Sequence, residues 1–246
     1  MKADLNRQWR LLDLQKLDTR LSQLDHKLRT LPVLQELSAA QTRSTRADED
    51  LVLARTAVDD VEREITKADQ DVQLVRDRAA RNSSRLEAGQ GSAKELQAMQ
   101  HEQQTLARRQ AELEDVELAV MERAETLRAD LVEKERRRTE LDEQLSRLED
   151  EHDRASREID KEREQVEAQR AQIAPGIGDD LLALYDKIRE QQGGLAAAPL
   201  VQRRCGGCQL ELNAGDLARI RSAAEDEVVR CEECRRILVR TAESGL

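Results

Sequence analysis

Phenylalanine is absent from this 246-residue chain, and tryptophan and tyrosine occur once each, at Trp9 and Tyr185. Aromatic rings dominate the packing of ordinary cores, so the sequence lacks the material for a large globular one. Proline occurs only three times, and no apolar run approaches the ~20 residues that span a bilayer. The opening Met1-Lys2-Ala3-Asp4 has no apolar stretch of the kind a secretory signal requires. A cytoplasmic protein with no membrane role is expected. Cysteine does not occur before residue 205. Positive charge is outnumbered, the formal net charge being −10, which argues against a chain that coats nucleic acid or anionic membrane along its length.

Charged residues, at 37%, and a regular scatter of aliphatic ones are what the chain has instead. Leu51, Ala54, Val58, Val61, Ile65, Ala68, Val72, Val75 and Ala79 recur at alternating steps of three and four, the seam of a coiled coil. The pattern resumes through Leu96, Met99, Leu106, Leu113, Val116, Val120, Ala124, Leu127, Leu131, Leu141, Leu145, Leu148, Ala155, Ile159 and Val166. Val116, Val120 and Ala124 are spaced by successive steps of four, a stutter expected to relax the supercoil. Leu14, Leu17, Leu21, Leu24, Leu28 and Leu31 open the chain with a seam of their own, which Pro32 should kink or break.

Between the two long runs lies Glu87-Ala88-Gly89-Gln90-Gly91-Ser92-Ala93-Lys94-Glu95. Glycine reaches φ > 0 at little steric cost and the connection is short, so the arms should run antiparallel. Ser92 and Glu95 have the spacing of a capping box. A fold about this turn places Leu24 opposite Ile159, Leu17 near Val166, and the polar Ser44 and Asp48 opposite Arg138 and Lys134. Facing polar layers would fix the register of an intramolecular hairpin.

Pro175, Gly176 and Gly178 end the second arm. Asp179 or Asp180 is a candidate cap for a helix over Leu181–Ile188, stopped by Gly193-Gly194. Its apolar face is expected to pack on the N-terminal segment, with Trp9 and Tyr185 in that core. From Pro199 short β-like runs follow, Leu200–Arg203, Glu227–Arg230 and Arg236–Arg240, around a helical insert from Asp216 to Ala224. The expected fold is mainly α: a long antiparallel coiled-coil hairpin over 1–174, with a kink near 32 and its tip near 88–92. A breaker and short helix follow over 175–194, then a small β-rich zinc ribbon over 195–246.

Cys205-Gly206-Gly207-Cys208 and Cys231-Glu232-Glu233-Cys234 lie 22 residues apart. Two residues between cysteines let a knuckle turn aim both thiolates at one ion, and two knuckles complete a tetrahedron. One structural zinc on Cys205, Cys208, Cys231 and Cys234 is the favoured reading. Iron at the same site, a disulfide and a redox pair are its alternatives. Four protein thiolates leave zinc no open position, which argues against metal hydrolysis. Removing the zinc is expected to unfold residues 199–240 while sparing most helicity. His26, His101 and His152 have no partner at ligand spacing and read as bystanders.

Lys94-Glu95-Leu96-Gln97-Ala98-Met99-Gln100-His101-Glu102 and Cys231-Glu232-Glu233-Cys234-Arg235-Arg236-Ile237-Leu238 are the two stretches by which the chain resembles the bacterial C4-type zinc ribbon coiled-coil family. Arg235 stands where glycine commonly follows the family's knuckle. The resemblance implies a non-enzymatic adaptor; some members bind an alternative sigma factor or messenger RNA and affect flagellar or secretion functions. Two contact surfaces are expected. Lys94, Glu95, Gln97 and Gln100 at the tip would meet a protein partner. Arg203, Arg204, Arg219, Arg221, Arg230, Arg235, Arg236 and Arg240 around the knuckles would serve an RNA- or DNA-binding regulator. No small-molecule substrate is expected, and the charged faces fit a monomer.

Overall fold

A computed structural model describes residues 1–246. Five α-helices, α1 (Leu5–Arg29), α2 (Pro32–Glu87), α3 (Ala93–Ile173), α4 (Asp179–Gln191) and α5 (Ala214–Ser222), accompany three strands, β1 (Ala197–Val201), β2 (Arg204–Cys205) and β3 (Ile237–Val239). The chain forms two compact units, Gln35–Glu149 and the combination of Met1–Leu34 with Asp150–Leu246.

Gln35–Glu149 is the helical hairpin. Its first arm turns inward the residues that the heptad pattern selects, with Leu51, Ala54, Val58, Val61, Ala68 and Val72 buried. The second arm corrects the reading at one place. Val116 is 53% exposed, and Glu117 takes the inward position between Leu113 and Val120. With Glu117 in place the three-and-four alternation runs unbroken and the expected stutter disappears. A glutamate stem can cover apolar surface while its carboxylate reaches water.

The polar layers also need correction. Ser44 is buried as expected, but Ala47 occupies the seam beside it. Asp48 points outward and pairs with Arg138, while Lys134 pairs with Asp130 on its own helix. Arg55 reaches Glu135 at 3.2 Å, Arg76 reaches Glu114 at 2.6 Å and Arg128 reaches Glu62 at 3.0 Å. These pairs are solvent-exposed and worth about 0–1 kcal/mol each; they contribute more to register than to stability.

The tip is closed by two local devices. Gly89, at φ 60, is the left-handed residue of a Schellman motif in which Gln90 N–H donates to Arg85 O and Gly89 N–H to Leu86 O, both 3.1 Å. Ser92 and Glu95 then form the expected capping box: the Ser92 N–H and hydroxyl donate to the Glu95 carboxylate at 2.7 and 2.8 Å, and Glu95 N–H donates to Ser92 Oγ at 3.4 Å. These bonds, the backbone one first, hold the Glu95 carboxyl below its usual range.

In the other unit α1 runs beside the end of α3, with Leu24, Ile159 and Val166 buried and Arg20 bonded to Glu162 through Nε at 2.7 Å. The chain breaks at Thr30-Leu31, and Pro32 starts the next helix, where its missing N–H has no consequence. α4 covers 179–191 with Gly178 as its N-cap and no side-chain cap bond, so neither Asp179 nor Asp180 caps it; both sit in the first turn. Leu181, Tyr185 and Ile188 from α4 join Leu11, Leu14, Ala197, Ile237 and Val239 in one core. Tyr185 is fully buried, whereas Trp9 is 46% exposed. Its indole N–H donates to Arg240 O at 2.9 Å, so it spans the rim between apolar and wet surroundings instead of filling the core.

The sheet has the order β2-β1-β3, with β1 antiparallel to β2 and parallel to β3. The expected strand at Glu227–Arg230 is reduced to isolated bridges, Arg230 with Ile237 and Glu227 with Lys2. Ala3 N–H donates to Asp226 O at 2.7 Å and Val228 N–H to Met1 O at 3.1 Å, and Gln8 Nε2 donates to both Ala3 O and Glu225 O. The first residues are thus laced to the ribbon, and Asp4 caps α1 through Arg7 N–H at 3.0 Å. Deleting residues 1–4 removes this lacing and the cap together, an expected loss of about 2–3 kcal/mol. Amide exchange should accelerate at Val228 and in the first turn of α1; unchanged protection would contradict this role.

Candidate metal centre and contact surfaces

Both cysteine pairs sit on the same turn. In the first, Gln209 N–H donates to Cys205 O at 2.7 Å and Cys205 N–H to Leu210 O at 3.0 Å; in the second, Arg235 N–H donates to Cys231 O at 2.9 Å and Cys231 N–H to Arg236 O at 3.0 Å. The bonds match position for position. A turn closed this way puts the residue after the second cysteine in the left-handed region, and Gln209 and Arg235 have φ 62 and 59. Arg235 was suspect from sequence; its counterpart Gln209 was missed, although it occupies the same place in its own knuckle. Left-handed backbone costs a non-glycine residue about 1–2 kcal/mol. Arg235→Gly should therefore raise ribbon stability by about 1 kcal/mol while Arg235→Ala does not, as read by denaturant unfolding at fixed zinc. Equal effects of the two would remove strain as the cause.

The four sulfurs lie within 4.8 Å of one another. Cys205 Sγ is 3.8 Å from Cys234 Sγ, and Cys208 Sγ is 3.9 Å from Cys231 Sγ. Tetrahedral zinc with Zn–S bonds of about 2.3 Å needs sulfurs about 3.8 Å apart, whereas a disulfide needs about 2.0 Å. The residues fit the ion. All four cysteines are free, two of them buried. No histidine or carboxylate joins the cluster, and one structural zinc is the cofactor of this site. As thiols, Cys205 is pushed up to about 12 and Cys231 moves the same way, burial being the main cause. Burial acts on Cys234 too, but hydrogen bonds from Arg236 and the neighbouring cysteines outweigh it and bring the thiol to about 7. Zinc binding must expel protons from this cage, so acidification weakens it.

The eight arginines separate into two groups. Arg236 and Arg240 are committed to the fold, and Arg230, though exposed, donates to Arg235 O at 2.7 Å across the second knuckle. Arg236 donates to Leu195 O and Gln192 O at the end of α4, and Arg240 clasps the carbonyls of Ala223, Ala224, Glu225 and Glu227 after α5. Arg203, Arg204, Arg219, Arg221, Arg230 and Arg235 are exposed. Of these, Arg204 lies 3.8 Å from Glu211, and Arg219 and Arg235 share Glu232 at 2.7 and 3.1 Å. At the tip, Lys94, Glu95, Gln97 and Gln100 are exposed; Glu95 is occupied by the capping box, which leaves Lys94, Gln97 and Gln100 without a packing role.

Sequence reasoning missed a buried polar network in the same unit. Asp18 has no exposed side-chain surface; its Oδ1 accepts from Arg170 Nε at 2.7 Å, and its Oδ2 accepts from Tyr185 Oη at 2.7 Å and lies 3.4 Å from Arg189 Nε. Gln15 Oε1 accepts from Tyr185 and from the Ala196 and Ala197 N–H groups, and Gln15 Nε2 donates to Gly194 O at 2.9 Å. Burial first, then the bond to Asp18, holds the Tyr185 hydroxyl far above its ordinary range, so it remains a neutral donor. The network ties α1, α3, α4 and β1 together and thereby seats the ribbon's central strand.

The geometry has counterparts among known proteins. The model of the CT398-like coiled coil hairpin domain matches residues 14–193, and that of the C4-type zinc ribbon domain matches 204–238. An uncharacterised protein of Mycobacterium tuberculosis is 38% identical over 240 residues, 98% of either chain. One of Mycobacterium leprae is 30% identical over 222 residues, 89% of this chain and 94% of the relative. Among solved structures, a Mycobacterium smegmatis protein superposes with a TM-score of 0.88 at 36% identity, covering 98% of this chain and all of that one. CT398 of Chlamydia trachomatis superposes at 0.72 with 19% identity, covering 96% and 98%, a likeness of fold.

Proposed function

Because the chain belongs to the CT398-like coiled coil hairpin family and ends in a C4-type zinc ribbon, we propose that it is a non-enzymatic cytoplasmic adaptor presenting its hairpin tip and its ribbon to protein partners. The observation that carries this reading is the four-sulfur cage: every ligand zinc needs is supplied by protein, so the metal holds shape and has no vacant position for a substrate. Lys94, Gln97 and Gln100 support the tip's role. They stand on the first two turns of α3, whose start is fixed by the capping box, and lack internal partners, the condition of a preorganised contact surface.

Affinity capture by the full-length zinc-loaded protein and by a Lys94→Ala/Gln97→Ala/Gln100→Ala variant, with and without nuclease, tests the proposal. A protein lost with the tip variant and retained after nuclease is the expected result. If both versions capture the same set, the tip is only a turn. The second reading, an RNA- or DNA-binding regulator, draws on the six exposed ribbon arginines. Partners that vanish with nuclease, and binding that weakens steeply with salt, would favour it.

A further inference from the structure

Beside the network just described, α1 and β1 enclose an open groove of about 410 Å³ whose lining contains two cations, Lys16 and Arg20, and no carboxylate. We infer that this groove docks a short acidic-apolar segment of a partner protein, on a surface that reaches Gly206 of the first zinc knuckle but includes none of the tip residues or the eight ribbon arginines. It takes from the adaptor reading only that the occupant is a protein.

The floor is made by the small side chains of Ala197 and Ala198 with Pro199, and the α1 wall extends from Leu12 to Gln23. That wall spans about 16 Å at ~1.5 Å per residue, the length of roughly five extended residues. A groove of about 410 Å³ along a wall of this length accepts a row of side chains. It does not accept a whole helix, whose diameter is about 10 Å.

Charge decides the chemistry of the occupant. The chain as a whole is strongly acidic, yet the charged residues that line the groove, Lys16 and Arg20, are both cationic. Lys16 lies 3.1 Å from Asp13 and Arg20 is paired with Glu162, but the first pair is well exposed and the second about half exposed. Such pairs are worth about 0–1 kcal/mol, so an incoming carboxylate can take either cation at little cost. The hydroxyl of Thr19 and the amide of Gln23 stand on the same wall and offer hydrogen bonds to a peptide backbone. Thr19 Oγ1 already accepts from Gln15 and Gln23 Oε1 from Arg20, which leaves the Thr19 hydroxyl proton and the Gln23 amide hydrogens for a peptide carbonyl, bonds that an acyl chain cannot accept.

The probe is a fluorescein-labelled heptapeptide of alternating Glu and Leu, titrated into the full zinc-loaded chain and followed by anisotropy and amide NMR. A Lys-Leu heptapeptide and decanoate serve as comparators. Expected are shifts confined to Thr19, Gln23 and Ala198, affinity that falls with salt, and at least tenfold weaker binding to Lys16→Glu/Arg20→Glu. Thr19→Trp, which fills the groove from the outer surface of α1, should weaken binding equally, while Lys16→Arg/Arg20→Lys should retain it. The inference is overturned by no binding at millimolar peptide, by equal binding of the Lys-Leu peptide, by shifts elsewhere, or by decanoate occupying the groove more tightly than the peptide. None of these outcomes bears on capture by the tip.

Discussion

Stripping the zinc with a chelator is expected to unfold most of the ribbon and leave the rest of the chain folded. The ribbon's own core holds Leu200, Leu212, Ile220, Val229 and Leu238 beside Cys205 and Cys231, with Leu217 and Ala223 partly buried against them, too little apolar surface to hold some forty residues in place. Zinc in such sites supplies about 10–16 kcal/mol of folding free energy. The boundary of the effect falls inside β1. Leu200 packs with the cysteines, whereas Ala196 and Ala197 belong to the core with Leu11, Leu14 and Tyr185 and are hydrogen-bonded to Gln15. Amide resonances from Leu200 onward through the knuckles should collapse, and those of Ala196 and Ala197 should stay protected. The far-UV helical signal should barely change, since α5 with nine residues is the only helix involved. Cys205→Ser with Cys231→Ser should reproduce the chelated state. Retention of a dispersed ribbon spectrum in either case would show that the apolar core suffices without the metal.

Asp18→Ala is expected to produce the largest loss of stability from a single substitution outside the metal site, about 3 kcal/mol. The carboxylate is fully buried and serves two guanidinium groups and a phenol. Removing one member of a buried ion pair costs about 3–5 kcal/mol; the partial exposure of Arg170 and Arg189 places this case at the lower end. Urea unfolding measures it, with Asp25→Ala as control: Asp25 makes only a 3.8 Å exposed pair with Arg163, worth less than about 0.5 kcal/mol. Comparable losses in the two variants would mean that Asp18 is not the keystone of this unit. The network also has a pH signature. The raised pKa of Tyr185 means that the folded state holds this proton more tightly than the unfolded one. Its contribution is therefore complete below about pH 10, the ordinary tyrosine value, and is lost as pH rises above it.

What could be seen in the sequence was whatever depends on local spacing. The heptad steps located the seams, Gly89 with Ser92 and Glu95 located the turn, and the cysteine spacing located the cage, because each of these is determined within a few residues. Val116 misled because hydropathy ranks valine above its neighbour Glu117, while the angular position on α3 favours the glutamate. Trp9 misled because an aromatic was assigned to the core with no account of where its N–H would bond. Gln15, Asp18, Arg170, Tyr185 and Ala196 come from four separate segments, and nothing in the spacing of any one of them marks the network. The parallel pairing of β1 with β3 joins residues some forty positions apart, again beyond any local pattern. The N-terminal lacing to Asp226 and Val228 was hidden for the same reason.

The enclosure of the metal by four thiolates leaves it a role in shape alone. Zinc-edge X-ray absorption of the full metal-loaded chain tests this most directly. Four sulfur neighbours at about 2.3 Å and one zinc per chain are the expected result; an oxygen or nitrogen in the first coordination sphere would open a position for substrate and contradict a purely structural metal.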